Sequence, residues 1–288
     1  MSPLKEEELI NILPKNGPTV IETKKYLEKY SEDYIVIKMG GSILSNKEFF
    51  NNLIRDIAIL KKLGLFIFLI HGGGSKISER LSDLNIKSSF VNGLRVTDDK
   101  IINIVEDVLI EFNKEIESAL ESYSCDVKKI TSKENSVITV KRESPVLGFV
   151  GSPTHIKTEI LIEMIKAGKI PVIASLGLDK DNQTFNINAD SVAGAIAKEL
   201  GARRLLILSD VEGVLNADKK LIPEINTVQA KKMIMDNIIE GGMIPKVNNC
   251  LDVAKNGVKG VCIIDGRKNH SVLFELLSDK GSGTLIRE

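Results

Sequence analysis

Two strand-like apolar runs each end in a glycine-rich turn, and each turn leads straight into helical spacing: Tyr34-Ile-Val-Ile-Lys-Met-Gly-Gly-Ser42 and Leu65-Phe-Ile-Phe-Leu-Ile-His-Gly-Gly-Gly-Ser75. Strand, glycine turn and helix in that order restrict the chain to βα units. Glycine lets backbone N–H groups come close to an anion, and the helix that follows points its positive end at it. Two such turns within the first hundred residues imply a site that faces two negatively charged groups at once, as a phosphoryl transfer between anions requires. Neither turn ends in Gly-Lys-Ser/Thr, so the P-loop is excluded. Neither reads G-x-G-x-x-G with an acid about 20 residues on, which disfavours a dinucleotide fold. Lys38 lies within the first strand, two residues before the glycines; alone, it reads equally as a snorkelling surface lysine.

The alternation continues downstream. Phe50, Leu53, Ile54, Ile57 and Leu60 recur at helical spacing up to Gly64, a helix is expected from about Ser75 to Leu84, and Ile101 to Ile116 marks a long amphipathic helix. Between Asp126 and Val150, short pieces such as Val137-Ile-Thr-Val140 read as a hairpin region. Further helices are expected near His155 to Ala167, Ser191 to Leu200, Val228 to Asn237 and Lys246 to Lys255. The intervening strands are Pro171 to Ser175, Leu205 to Leu208 and Val261 to Ile264. This order predicts an α/β fold, a three-layer α/β/α sandwich with a mostly parallel central sheet.

Composition narrows the function. With 288 residues, 43% of them hydrophobic, the chain can form one large domain or two lobes around a substantial core. Its 39 basic and 39 acidic residues cancel, giving no electrostatic case for nucleic acid or an anionic membrane. The longest apolar run is about six residues, far short of a spanning helix. Glu6, Glu7 and Glu8 stand where a targeting peptide would be basic or acid-poor, which leads us to expect a cytoplasmic location and leaves room for a plastid stroma. Cys125, Cys250 and Cys262 form no C-x-x-C, as expected of buried thiols in a reducing compartment. His71, His155 and His270 are too scattered to argue a metal site, and core or surface roles are their default.

Three more groups carry potential chemistry. Asn186-Ile-Asn-Ala-Asp190 precedes a helix, where Asn188 or Asp190 also reads as a simple N-cap. Ser209, Asp210 and Gly213 follow a strand at its carboxyl end, where open α/β sheets bind ligands. In Gly241-Gly-Met-Ile-Pro-Lys246, Pro245 reads as a first helical position, so Lys246 sits in a first turn whose dipole disfavours cations. Such a lysine invites a compensating anion.

Together these residues resemble the acetylglutamate kinases of the amino acid kinase family, from about Tyr34 to the C-terminus. The motifs are Lys-x-Gly-Gly (Lys38 to Gly41), His-Gly-Gly-Gly (His71 to Gly74), Asn-Gly-Leu-Arg-Val-Thr (Asn92 to Thr97), Asn-x-Asn-Ala-Asp (Asn186 to Asp190), Ser-Asp-Val-x-Gly-Val-Leu (Ser209 to Leu215) and Gly-Met-Ile-x-Lys (Gly242 to Lys246). Aspartate, uridylate and carbamate kinases share the first turn, whereas the third and fourth motifs look like the acetylglutamate branch.

The resemblance implies transfer of the ATP γ-phosphoryl group to the γ-carboxylate of N-acetyl-L-glutamate, in arginine biosynthesis. It places Lys38 and Lys246 on either side of the moving group, with Asp190 holding both. Gly73, Gly74, Arg95 and Asn186 fall to the substrate; Gly40, Gly41, Ser209, Asp210, Gly213, Glu240 and Met243 fall to the nucleotide. Mg²⁺ is expected on the phosphates, with no dedicated protein ligands. The kinase domain is expected over 34–288, with a substrate lobe over about 34–180 and an ATP lobe over about 181–288. Aspartate kinase is the alternative within the fold, but its usual C-terminal regulatory domains have no room before Glu288. A non-catalytic sensor would not need both lysines.

Residues 1–33 form an extension. Leu4 to Leu13 fits a short helix ended by Pro14, and Val20, Thr23, Leu27, Tyr30 and Tyr34 fall on one face of a second. Such a helix can simply pack on its own subunit. Arginine-inhibited members of the family, however, use one to interlace dimers into hexamers. By that resemblance we expect a homo-oligomer, dimeric at its core and hexameric overall, inhibited by L-arginine at Tyr26, His270, Glu275 and Gly283, with a PII-type regulatory protein as a partner in some lineages. Ser282 stands where the pattern usually has an apolar residue, and Asp265-Gly-Arg267 replaces Asn-Gly-Gly.

Overall fold

The computed structural model describes residues 4–44 and 46–288. Helices α1 (Glu6–Ile12) and α2 (Val20–Lys29) precede β1 (Tyr34–Met39), α3 (Gly41–Leu44), α4 (Lys47–Lys62), β2 (Phe66–His71) and α5 (Gly74–Asp83). A small hairpin, β3 (Phe90–Val91) and β4 (Leu94–Arg95), leads to α6 (Asp99–Glu121), β5 (Val127–Ile130), β6 (Ile138–Arg142), β7 (Gly151–Ile156), α7 (Thr158–Lys166), β8 (Ile170–Ala174), β9 (Leu176–Leu178) and β10 (Thr184–Asn186). The rest is α8 (Ala189–Glu199), β11 (Arg204–Ser209), β12 (Glu224–Asn226), α9 (Thr227–Met235), α10 (Met243–Lys255), β13 (Val261–Asp265), α11 (Ser271–Leu277) and β14 (Gly283–Arg287).

Eight strands form one sheet in the order β12-β14-β13-β11-β1-β2-β8-β5. All pairings are parallel except β13 with β14. Helices cover both faces, so its central strands are apolar on both sides. Along β1, Ile35, Ile37 and Met39 pack with α4, α6 and α11, whereas Val36 packs with α8 and α10. Alternation puts Lys38 on the Val36 side, toward α8. The expected mostly parallel α/β/α sandwich is therefore the observed one.

A second sheet, β10-β9-β6-β7, stands apart from the main one. Here the local reading is corrected. The helix expected from His155 begins at Thr158, because His155 and Ile156 pair with Thr139 and Ile138 across the β6–β7 ladder. The hairpin region expected between Asp126 and Val150 is divided: β5 joins the main sheet beside β8, and β6 pairs with β7. Tyr34 is not on the second helix but opens β1, since Tyr30 already caps α2.

The N-terminal extension packs on its own chain. Leu9 and Tyr30 are buried in the same core as Ile35, Ile54 and Leu273. Thr19 caps α2 through a reciprocal box with Glu22. Among the described residues no helix is long and apolar enough to cross a membrane.

Candidate active site

Both glycine turns lie at the carboxyl end of the sheet, side by side, because Met39 of β1 is in register with His71 of β2. The other neighbour of β1 is β11, so connections leave β1 in opposite directions and open a crevice at the strand ends. A cleft of about 550 Å³ occupies this place, lined by Lys38, Gly41, Gly72, Gly73, Gly74, Arg95, Asn186, Asp190 and Asp210 among others.

The turns are open where an anion would need them open. A Cβ on Gly41 would stand 3.5 Å from Ser75 N and 3.7 Å from Gly74 N, filling the space before the first amides of α5. The N-cap of that helix is Gly73, which has no side chain to cap it. Gly40 is required for a different reason: a Cβ there would meet the Leu208 carbonyl oxygen at 2.7 Å. The cradle thus fits a phosphate chain entering between the two turns.

Asp190 lies in the first turn of α8, behind the cap that Asn188 makes to the Asp190 and Ser191 amides. The N-cap is Asn188 and not Asp190, whose carboxylate faces two lysines instead. Lys246 Nζ donates to Asp190 Oδ2 at 2.6 Å. Lys38 Nζ stands 2.8 Å from Asp190 Oδ1, but off the line of a well-formed hydrogen bond, so this contact is chiefly coulombic. Burial pushes the Asp190 carboxyl up, yet the two ammonium charges outweigh it and bring it down to about 2. The result is a fixed plus–minus–plus array with one positive charge in excess.

α10 starts at Met243, which makes Pro245 the third helical residue rather than the first. Lys246 still sits at the positive end of its helix, and Asp190 is the anion that compensates it. Asn249, one turn further on, donates to the Asp190 carbonyl at 3.1 Å and bolts α10 to α8. Sequence reasoning passed over Asn249; its spacing of three from Lys246 was the available signal.

Arg95 also lines the cleft. Its Nη2 donates to the Gly74 carbonyl at 3.1 Å and to Ser78 Oγ at 2.8 Å, its Nη1 donates to Ser88, and the guanidinium lies 4.7 Å from the centre of the Phe90 ring. Ser78, Ser88 and Phe90 were not foreseen, since nothing local in the sequence links them to Arg95. Asn186 donates to Thr97 Oγ1 at 3.3 Å, and Thr97 donates to the Arg95 carbonyl at 2.9 Å. One polar chain therefore joins the β3–β4 hairpin to the second sheet.

The remaining nucleotide candidates are placed less uniformly. Asp210 lines the cleft, while Ser209, Gly213, Glu240 and Met243 lie outside its lining. Gly213, at φ +143°, leaves room for Thr284, whose hydroxyl accepts from Val214 N. Met243 N donates to the Glu240 carbonyl at 3.1 Å in the turn before α10.

The effector candidates are only partly brought together. Tyr26 on α2 donates to Asp279 Oδ1 at 2.9 Å, and burial with that carboxylate pushes its phenol up to about 12. Glu275 on α11, which packs against α2, accepts from Ser282 N at 2.8 Å. His270 is turned toward α4, its Nδ1 2.7 Å from Asp56 Oδ1. Gly283 serves strand pairing, since a Cβ would meet the Ile263 carbonyl oxygen.

The model of the amino acid kinase family matches residues 33–265. Acetylglutamate kinase of Pelagibacter ubique (strain HTCC1062) is 67% identical over 288 residues, covering 100% of both chains. The chain belongs to the acetylglutamate kinases. A second family member, from Granulibacter bethesdensis, is 42% identical over 276 residues, with 91% of this chain and 93% of that one covered. The crystal structure of N-acetylglutamate synthase from Neisseria gonorrhoeae, complexed with coenzyme A and L-arginine, shares the fold with a TM-score of 0.81 at 22% identity. It matches 93% of this chain, which spans 64% of the synthase. Membership of the acetylglutamate kinase family makes the chain a phosphotransferase and fits a cleft built from glycine amides and two lysines.

Proposed function

We propose that this kinase transfers the γ-phosphoryl group of ATP to the γ-carboxylate of N-acetyl-L-glutamate, giving N-acetyl-L-glutamyl 5-phosphate and ADP. The observation that carries the reading is Asp190 held between Lys38 and Lys246 at the mouth of two glycine turns. A carboxylate oxygen attacks the γ-phosphorus as the bond to the ADP oxygen breaks. The acceptor is already ionised, so no proton has to leave it and no general base is needed. Asp190, held near 2, is a brace for the lysines rather than a base. Lys38 and Lys246 stabilise charge on the moving group, the glycine amides hold the anions in line, and Arg95 and Asn186 bind the rest of the acceptor. The glycine cradle suits the phosphates of ATP, and Mg²⁺ carried on them would add charge neutralisation; Asp190 and Asp210 are carboxylates that line the cleft. Parallel assays with N-acetylglutamate, glutamate and aspartate test the reading. Turnover of the acetylated substrate at least roughly 10²-fold above the others is expected, because a site built for one polar group rejects analogues that lack it. Preference for aspartate overturns it.

Inhibition by L-arginine in a hexamer is the regulatory reading. It is supported by the packing of α2, which carries Tyr26, on α11, which carries Glu275, by the hydrogen bond from Tyr26 to Asp279 just beyond α11, and by arginine in the crystal structure of the related synthase. Solution mass and arginine inhibition of the full chain, compared with a chain lacking residues 1–33, test it. A dimeric full chain indifferent to arginine overturns this reading and leaves the kinase reading intact.

A further inference from the structure

We infer that His71 is a positioning residue that aims the Gly73 N–H into the cleft, and that Asn113 selects the tautomer with which it does so. The inference rests on reading the cleft as the phosphoryl-transfer site. His71 ends β2 with its side chain wholly buried, edge-on to Phe112 with ring centres 5.2 Å apart. Asn113 of α6 is equally buried. Its Nδ2 lies 2.9 Å from the Val172 carbonyl oxygen and 3.0 Å from His71 Nε2.

These two distances settle the proton positions. A carbonyl only accepts, so the Asn113 atom facing Val172 must be the amide nitrogen. For its second hydrogen, His71 Nε2 at 3.0 Å is closer than the Ile130 carbonyl oxygen at 3.5 Å, and so short an N···N contact requires Nε2 to offer a lone pair. A neutral imidazole has one N–H, and it is therefore on Nδ1. Nδ1 lies 3.2 Å from the Gly72 carbonyl oxygen and donates to it. Burial brings the ring down to about 4, so it stays neutral where the enzyme works.

The consequence follows from peptide planarity. The Gly72 carbonyl and the Gly73 N–H belong to one trans peptide and point in opposite directions. Drawing the carbonyl inward to His71 turns the Gly73 N–H outward, toward the cleft that Gly72, Gly73 and Gly74 line. Three successive glycines would otherwise hold this plane loosely. Asn113 also leaves its Oδ1 buried without a hydrogen-bond partner, a cost that an apolar residue at a merely structural position would avoid.

The test combines spectroscopy and kinetics on the full chain. Long-range ¹H–¹⁵N correlation of the His71 ring is expected to show a protonated Nδ1 and a bare Nε2 at neutral pH. Asn113→Asp replaces the donor by an acceptor, and should move the proton to Nε2 and lower kcat. His71→Leu should lower kcat by roughly 10- to 10²-fold with little change in either KM, as expected for a donor that is misdirected but not removed. His71→Asn, whose amide nitrogen takes the place of Nδ1, should recover most of the loss, and His71→Gln should not. An Nε2–H tautomer or an imidazolium in the wild type overturns the inference, and so does a folded His71→Leu enzyme with wild-type kcat. Should the wild type fail to phosphorylate N-acetylglutamate, the functional reading falls, while the tautomer still decides the orientation of His71.

Discussion

The mouth of the cleft and the surface where α2 meets α11 are both tied by lysine–carboxylate contacts, but the two ties differ in kind. Lys38, Asp190 and Lys246 have side chains only 11–18% exposed, and one carboxylate serves two ammonium groups. Lys25 and Asp279 touch at 2.6 Å with side chains 59% and 60% exposed. Water and salt screen the second pair, whereas the first is held in a medium where each charge governs its neighbours. Short distance alone is therefore a poor guide to importance. Burial and sharing decide which contact the protein depends on.

The largest expected effect comes from breaking the buried array. Lys246→Ala and Lys38→Ala should each lower kcat by roughly 10²-fold or more while the protein stays folded, because each removes a donor whose interaction is greatest in the transition state. A folded Lys246→Ala enzyme with near-normal kcat would show that the array is structural. Next comes a stability effect from the same end of the sheet. His71 is lowered from 6.5 to about 4, so below pH 6.5 the unfolded chain binds a proton that the native chain refuses. Native stability should fall as pH drops from 6.5 to about 4, by up to roughly 3 kcal/mol from this group. Denaturant titrations across that window should show a slope that His71→Asn reduces; an unchanged slope would contradict the assignment.

Arg95→Lys should have a smaller and more selective effect. A guanidinium that contacts the acceptor away from the reacting atoms acts equally in ground and transition states, so KM for N-acetylglutamate should rise roughly tenfold while KM for ATP stays put. Equal losses for both would mean that its bonds to Gly74, Ser78 and Ser88 matter more for holding the hairpin. The smallest effect is expected at the exposed pair. Lys25→Ala should leave the thermal midpoint within measurement error, and a clear drop would show that the two regions are more alike than their exposure implies.

What the sequence revealed follows the range of the forces involved. The glycine turns, the helix after each turn, Lys38 two residues before the first turn and Lys246 four residues after Gly242 are written locally, and the alternation of strands and helices carried the fold class. The strands of two or three residues, β3, β4, β9, β10 and β12, are too short to carry a periodicity and exist only through their partners. His155 was misread for the same reason: its segment has helical spacing, but the ladder with β6 wins. The supports of the site were hidden most deeply. Arg95 meets Ser78 across 17 residues and His71 meets Asn113 across 42, and no local pattern announces either pairing.

The position of β1 bears on how the molecule is made. Its one neighbour, β2, begins at Phe66, but the other, β11, begins only at Arg204. A chain leaving the ribosome can close the first pairing early, yet the middle of the sheet keeps an open edge until Arg204, the partner of Ile35, has been added well over a hundred residues after β2. That edge is the apolar Ile35-Val-Ile37 stretch, well suited to pairing with the wrong partner. Synthesis must pass Asp190 before the charge of Lys38 can be balanced, and Lys246 before the three-charge array is complete.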